Sequence, residues 1–165
     1  EPLVAEDHAA LLFNAFVEQD HLFDYLPTGP FHSAAQYHRW VKEATADPST
    51  LFFVVYDIEK AAYLGVLSFL RIAPEAGSIE VGNINFSKAM QQSAVSTEAI
   101  YLAMKWVFEA GYRRFEWKCN ALNRPSRRAA QRLGFSYEGV FRQAMVVKGR
   151  NRDTAWFAAI DIETS

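Results

Sequence analysis

With 165 residues and a formal net charge of −2, the chain has the length of one domain and no global charge that would draw nucleic acid or a membrane surface. Half of its residues are hydrophobic and 15% are aromatic, which excludes a disordered chain and supplies a core without disulfides or metal. No apolar run approaches the ~20 residues needed to span a bilayer.

In chain order, Glu1–Glu6 carries only Leu3 and Val4 as apolar residues. Asp7 is placed to cap a helix whose Ala9, Leu12, Phe13 and Phe16 follow helical spacing. His21–His32 reads as a loop that includes Phe23, Tyr25 and Phe31. Ser33 and Gln36 have capping-box spacing, and Tyr37, Trp40, Val41 and Ala44 form the buried stripe of a second helix that Asp47-Pro48 stops. Leu51–Asp57 is almost wholly apolar and predicts a strand buried on both faces. Tyr63–Arg71 is the next strand, with Gly65 a bulge or a point of close approach.

Pro74 and Gly77 mark a hairpin turn, after which Ser78–Phe86 forms a strand interrupted at Gly82. A turn leads to a long helix, Ser96–Ala110, whose Glu98, Tyr101, Lys105 and Glu109 make one wet ridge, and Gly111 ends it. Arg114–Cys119 alternates as a strand: Phe115, Trp117 and Cys119 share one face, and Arg114, Glu116 and Lys118 the other, read as solvated ion pairs. Asn123 and Pro125 open the last helix and Gly134 closes it. Phe135–Phe141 and Thr154–Asp161 read as strands, joined by a segment with the basic turn Lys148–Asp153. The chain shows no repeat, low-complexity tract or linker, so a single domain over 1–165 is expected, α/β with a mostly antiparallel, partly parallel sheet.

Two motifs then stand out. The turn Gln91-Gln92-Ser93-Ala94-Val95-Ser96-Thr97-Glu98 leads into the long helix, and the unpaired N–H groups and dipole of a helix N-terminus suit an anion. Asn123-Arg124-Pro125-Ser126 is followed at fixed distance by Gly134-Phe135. With the element order from Ser78 to Phe135, these segments resemble the GCN5-related N-acetyltransferases (GNAT), most closely the RimJ/RimL-like branch that acetylates the N-termini of ribosomal proteins. The resemblance implies a GNAT-type sheet splayed in the middle and flanked by helices, with most of the family's first strand missing ahead of Glu1. It also implies acetyl-CoA as cosubstrate, no metal, and direct attack by a primary amine (a protein N-terminus or a small amine) in a ternary complex.

Under that resemblance, Gln91, Gln92, Ser93, Ala94, Val95, Ser96 and Thr97 face the CoA pyrophosphate, although Ala94 and Ser96 stand where the family has glycines. Ile84, Asn85 and Phe86 line the pantetheine arm, and a backbone N–H at or beside Asn85 polarises the thioester carbonyl. Asn123 and Ser126 lie along the same arm, and Arg127 and Arg128 meet the 3′-phosphate. The family tyrosine that donates a proton to the leaving thiolate falls at Ala130, so Ser126 takes that role, while Glu80 acts as base through water and Glu116 is the competitor. The loss of both glycines and of the tyrosine also fits a degenerate module that keeps the fold as a CoA-binding sensor or scaffold, and the size of the acyl pocket leaves another acyl-CoA open.

His8, His21, His32 and His38 have no metal spacing, and Cys119, the one cysteine, reads as a packed core thiol. With no partner for a disulfide and no signal peptide, the expected compartment is the cytoplasm. A homodimer is the default assembly on frequency alone.

Overall fold

The helices begin where the chain supplies an acceptor for their first N–H groups. In the computed structural model, which describes residues 1–91 and 93–163, α1 (Ala5–Ala15) departs from the expected cap. Asp7 lies inside its first turn; the N-cap is Val4, whose N–H donates to Nδ1 of the buried His8 at 3.0 Å. A histidine one turn on has taken the place of a capping carboxylate. In α2 (Ala34–Ala46), Ser33 Oγ accepts from Gln36 N at 3.1 Å, and Gln36 Oε1 reaches back to the His32 N–H at 2.8 Å. Tyr37 and Val41, four apart, face the core as their spacing requires.

The third helix, α3 (Ala94–Glu109), starts two residues earlier than expected. Its exposed ridge is also wider, because Leu102 and Trp106 join the polar residues at the surface. In α4 (Arg124–Arg132), Asn123 Oδ1 accepts from Ser126 N at 3.2 Å and Pro125 occupies the first turn. Gly134, at φ +99°, lets Phe135 N bond to Ala130 O at 2.9 Å, a C-terminal cap that a side chain at position 134 would strain.

Six strands form one sheet in the order β1-β2-β3-β4-β6-β5. They are β1 (Leu51–Asp57), β2 (Ala62–Ala73), β3 (Ser78–Phe86), β4 (Arg114–Asn120), β5 (Ser136–Val147) and β6 (Arg150–Ile160). β3 and β4 pair in parallel, whereas β1 with β2, β4 with β6 and β5 with β6 are antiparallel. This is the mixed, mostly antiparallel α/β architecture expected. One expectation fails at β1: it lies at an edge, with Leu51 and Tyr56 exposed, so its apolar run does not mean burial on both faces. The last two strands are also longer than predicted, for they form one hairpin closed by Lys148 and Gly149, both at positive φ, in a two-residue turn.

By backbone contacts the chain divides into two compact units, Glu1–Leu70 with Asn83–Ala99, and Arg71–Gly82 with Ile100–Ser165. The first has a core of Ala9, Leu12, Phe16, Tyr37, Val41 and Val66, and Leu3 N bonds to Phe52 O at 3.0 Å along the β1 edge. Phe23 and Phe31 pack the α1–α2 loop against Tyr37 and Trp40. In the second unit Phe135, just past the α4 cap, lies 5.4 Å from the rings of both Phe115 and Trp117. Among the described residues no helix is long and apolar enough to cross a membrane.

Candidate active site

Alternation along β4 puts Arg114, Glu116 and Lys118 on one sheet face, and in the second unit that face is not solvated as expected. Glu80 pairs with Glu116 across the β3–β4 ladder, which brings two carboxylates side by side. Both are buried, and cations compensate them. Lys118, with a side chain only 10% exposed, places Nζ 2.8 Å from Glu80 Oε1 and 3.6 Å from Glu116 Oε1. Arg71 Nη1 donates to both oxygens of Glu80 at 3.0 and 2.9 Å. Arg114 donates to Glu116 at 3.0 Å and forks onto Glu138 at 3.0 and 2.6 Å. The Lys118 ammonium also sits 3.8 Å above the Trp156 ring. Burial of these charges is tolerable only because each has a partner.

On the opposite face of β4 the residues expected to act on sulfur come together. Ser126, in the first turn of α4, accepts the indole N–H of Trp117 at 3.0 Å. The oxygen is thereby fixed while its one proton stays available for donation. Burial pushes the Cys119 thiol up, and the nearby Ser126 hydroxyl and the charges of Arg152 and Arg127 pull it partly back. Cys119 is the packed thiol expected. The Asn123 carbonyl oxygen accepts in the helix cap, and its NH₂ is the side chain's donor for another group. Arg127 Nη1 donates to Ala121 O at 2.9 Å, and its guanidinium lies 5.4 Å from the Tyr137 ring. Arg124, Arg128 and Arg132 are exposed, a solvated basic face, and Ala130 is fully buried with no polar atom to offer.

In the first unit, the start of α3 is built differently from the expectation for its hydroxyls. Ser93 Oγ donates to Met90 O and Ser96 Oγ to Ser93 O at 2.8 Å, so both protons serve the local turn. Gln91 donates to Phe86 O at 2.9 Å. Gln92 lies outside the described residues. What remains for an anion is the backbone: the N–H groups of Ala94, Val95 and Ser96 open a 16-residue helix and have no partner within it. Neither Ala94 nor Ser96 needs a positive φ, so the absence of glycine costs no backbone strain here.

The parallel ladder of β3 with β4 ends at Val81–Trp117, although β3 runs on to Phe86. Asn83, at φ +49°, bends the strand just past Gly82 and donates to Ser68 Oγ at 2.9 Å. Gly65 of β2 allows the following turn to close in: a Cβ there would stand 2.8 Å from both Met90 Sδ and Phe86 Cδ1. Ile84 and Phe86 are half-buried, and Asn85 is buried. Behind them is a small cavity walled by the rings of Phe23, Tyr37 and Trp40, with Asn83, Asn85 and Thr28 as its polar lining. Burial pushes the Tyr37 phenol well above its usual range, so it stays neutral.

The resemblance named Glu80, Asn123 and Ser126 as site residues. The sequence did not reveal Lys118 and Arg71 as partners of Glu80, Trp117 as the partner of Ser126, or the inward side chain of Asn85. Only for Lys118 was a signal present, since a lysine two residues from Glu116 on a strand must share its face.

The sequence profile of the acetyltransferase (GNAT) domain matches residues 1–136. A GCN5-related N-acetyltransferase from Brucella melitensis is 44% identical, with a TM-score of 0.96 over 99% of this chain and 75% of that one. A probable GNAT acetyltransferase from Chromobacterium violaceum is 41% identical, with a TM-score of 0.94 over 99% of this chain and 83% of that one. A Salmonella typhimurium acetyltransferase that modifies the N-terminal serine of a 50S ribosomal subunit protein shares the fold, at 21% identity and a TM-score of 0.82 over 97% and 92% of the two chains. No curated protein matches the chain.

Proposed function

Because the chain belongs to the GNAT acetyltransferase family, we propose that it transfers the acetyl group of acetyl-CoA to a primary amine by direct attack in a ternary complex, in the cytoplasm. The observation that carries this reading is the Ser126 hydroxyl, held in the first turn of α4 by the Trp117 N–H at 3.0 Å. A hydroxyl whose oxygen is tethered and whose proton is available suits the thiolate that leaves when a thioester is cleaved.

The remaining roles follow residue by residue. The N–H groups of Ala94, Val95 and Ser96 take the pyrophosphate, with Gln91, Ser93 and Thr97 shaping that turn. Ile84, Asn85 and Phe86 run beside the pantetheine, the Asn85 N–H polarises the thioester carbonyl, and the Asn123 NH₂ meets a pantetheine amide oxygen. Arg127 offers the 3′-phosphate those guanidinium N–H groups that Ala121 leaves over. The amine attacks the carbonyl carbon, a C–N bond replaces the C–S bond, Ser126 protonates the departing sulfur, and the ammonium proton, which Glu80 receives through water, returns by way of solvent to Ser126. Arg71 and Lys118 hold the Glu80 carboxylate in place for this.

For the acceptor we favour the α-amine of a protein N-terminus. A reference pKa of about 7.7–8.0, against about 10.4 for lysine, leaves far more neutral amine for a weak base to use. The low-identity relative that modifies an N-terminal serine supports the same class.

The test is calorimetric titration with acetyl-CoA on the wild type, Asn123→Ala and Ala94→Glu, followed by turnover on α-amines and lysine peptides. Micromolar binding lost in both variants, with turnover favouring α-amines, is expected. Absence of binding in the wild type would replace the enzyme with a scaffold, and equal rates on both amine classes would remove the N-terminal preference.

A further inference from the structure

The sheet face that carries the Glu80 ion pairs also carries a cation that has none. Alternation along β6 puts Arg152, Thr154 and Trp156 on one face, and the ladder sets Thr154 opposite Asn120 and Trp156 opposite Lys118. Glu116 shares that face through β4, and Glu80 stands beside Glu116 across the β3–β4 ladder. The ion pairs there balance, with Glu80, Glu116 and Glu138 set against Arg71, Lys118 and Arg114. Arg152 is the cation left over: among the described residues no carboxylate lies within ion-pair distance of it.

Its surroundings differ from those of an ordinary surface arginine. The residue is half-buried, and Met145 of the neighbouring strand lies opposite it in the hairpin. Arg152 Nε donates to Oγ1 of the buried Thr154 at 3.2 Å, which lays the side chain along β6 toward Trp156 and leaves both Nη groups for another acceptor. Burial pulls the guanidinium below the ordinary arginine range, Cys119 and Glu80 oppose that shift, and Arg71, a like charge, adds to it. A charge that has lost part of its hydration and gained no counter-ion is a costly arrangement, which an oxyanion would relieve. The planar fork fits a carboxylate or a phosphate.

The face decides between these. In the acetyl-transfer reading Ser126 serves the departing sulfur, and it bonds to Trp117 on the other face of β4. Glu80, which receives the proton of the amine, lies on the face of Arg152. An anion held by Arg152 is therefore on the amine's side of the reaction and belongs to the acceptor. We propose that Arg152 binds a carboxylate of the acceptor and so selects amines that carry an acid group close by in the same molecule; this rests on the acetyl-transfer reading, in which Glu80 marks the side the amine enters. Arg71 and Lys118 cannot serve instead, because Glu80 holds both. The acid is either the side chain of the residue that follows the acetylated one or the terminal carboxylate of a short peptide, and two pairs of acceptors separate these sources.

Glycyl-aspartyl amide is compared with glycyl-asparaginyl amide, and glycylglycine with glycylglycinamide, by kcat/KM at saturating acetyl-CoA and separately by equilibrium binding followed by NMR. In the wild type the acid member of one pair is expected to be favoured about tenfold, the size of a hydrogen bond to a charged group, and the pair that shows it identifies the source of the carboxylate. In Arg152→Gln that ratio falls to near one, and Arg152→Lys, which keeps the charge without the fork, retains part of it. Equal rates and equal binding within both wild-type pairs overturn the proposal without any variant having to fold, and so does a preference that survives in Arg152→Gln. A higher KM for acetyl-CoA in Arg152→Gln, with the acceptor ratio intact, assigns the guanidinium to a cofactor phosphate and overturns it too. An acid preference in binding without turnover on any amine keeps the role of Arg152 and defeats the acetyl-transfer reading instead.

Discussion

Replacing Lys118 by methionine keeps the stem of the side chain against Trp156 and removes only the ammonium. That ammonium lies 2.8 Å from Glu80 and 3.6 Å from Glu116. At an effective dielectric of about 20 the two attractions are worth about 6 and about 5 kcal/mol before desolvation. Desolvating the lysine costs several kcal/mol and cancels much of this, but the variant leaves two buried carboxylates facing each other across one ladder position. Each keeps an arginine, Arg71 or Arg114, so the loss falls at the lower end of what removing one partner of a buried pair costs, about 3 kcal/mol. For a chain of this length that is a fall in Tm of roughly 6–12 °C. Urea unfolding at low and high salt measures it. Because the pair is shielded from solvent, the loss should persist in high salt, and adding Glu116→Gln should restore part of it by removing one carboxylate. A loss under about 1 kcal/mol, or one that vanishes with salt, would return this cluster to the solvated ion pairs that the sequence suggests.

Three further outcomes follow from the geometry. Ser126→Ala should lower kcat by about ten- to a hundredfold and, because it leaves the buried Trp117 N–H without its acceptor, should also cost about 1–3 kcal/mol of stability. Trp117→Phe, which frees the Ser126 oxygen, should lower kcat less; a Ser126→Ala rate within twofold of wild type removes serine as the acid. Gly65→Ala puts a methyl 2.8 Å from Met90 and Phe86 and 3.3 Å from Asn85 O, and should destabilise by about 1–3 kcal/mol, read by thermal melting; an unchanged Tm would mean that the turn yields freely. The Arg114 fork holds the Glu138 carboxyl below its usual range, so its contribution is present above the ordinary glutamate pKa and is lost as pH falls through the lowered one. With a side chain 41% exposed the pair is worth under ~1 kcal/mol, and Glu138→Gln should flatten the acid side of the stability curve slightly; parallel curves for variant and wild type would show no coupling.

Where local chemistry sets structure, the chain could be read directly. Ser33 with Gln36, Asn123 with Ser126, and Gly134 each bond within a few residues of themselves, so helix ends followed from residue type and spacing. β1 and β3 were bounded correctly for the same reason: their neighbours in sequence are turn formers. Asp7 is not the cap, because His8, one helical turn after Val4, accepts the Val4 N–H with its ring packed against Tyr63. The turn before α3 was legible as a helix start but not in the aim of its hydroxyls, which Met90 O and Ser93 O decide.

The sequence alone thus determined the element order, the α/β class, the resemblance, and the residue types at Glu80, Asn123 and Ser126. Alternation could place Glu116 and Lys118 on one face of β4, yet whether that face meets water depends on strands far away in sequence. Only tertiary structure laid Glu80 beside Glu116 and set Trp156 under Lys118, turning a nominally wet face into a buried charge network. Only tertiary structure, too, brought the rings of the α1–α2 loop and α2 around the side chain of Asn85. Hydrogen bonds a few residues long are encoded by spacing, whereas burial is a property of everything packed around a residue, and no local pattern contains it.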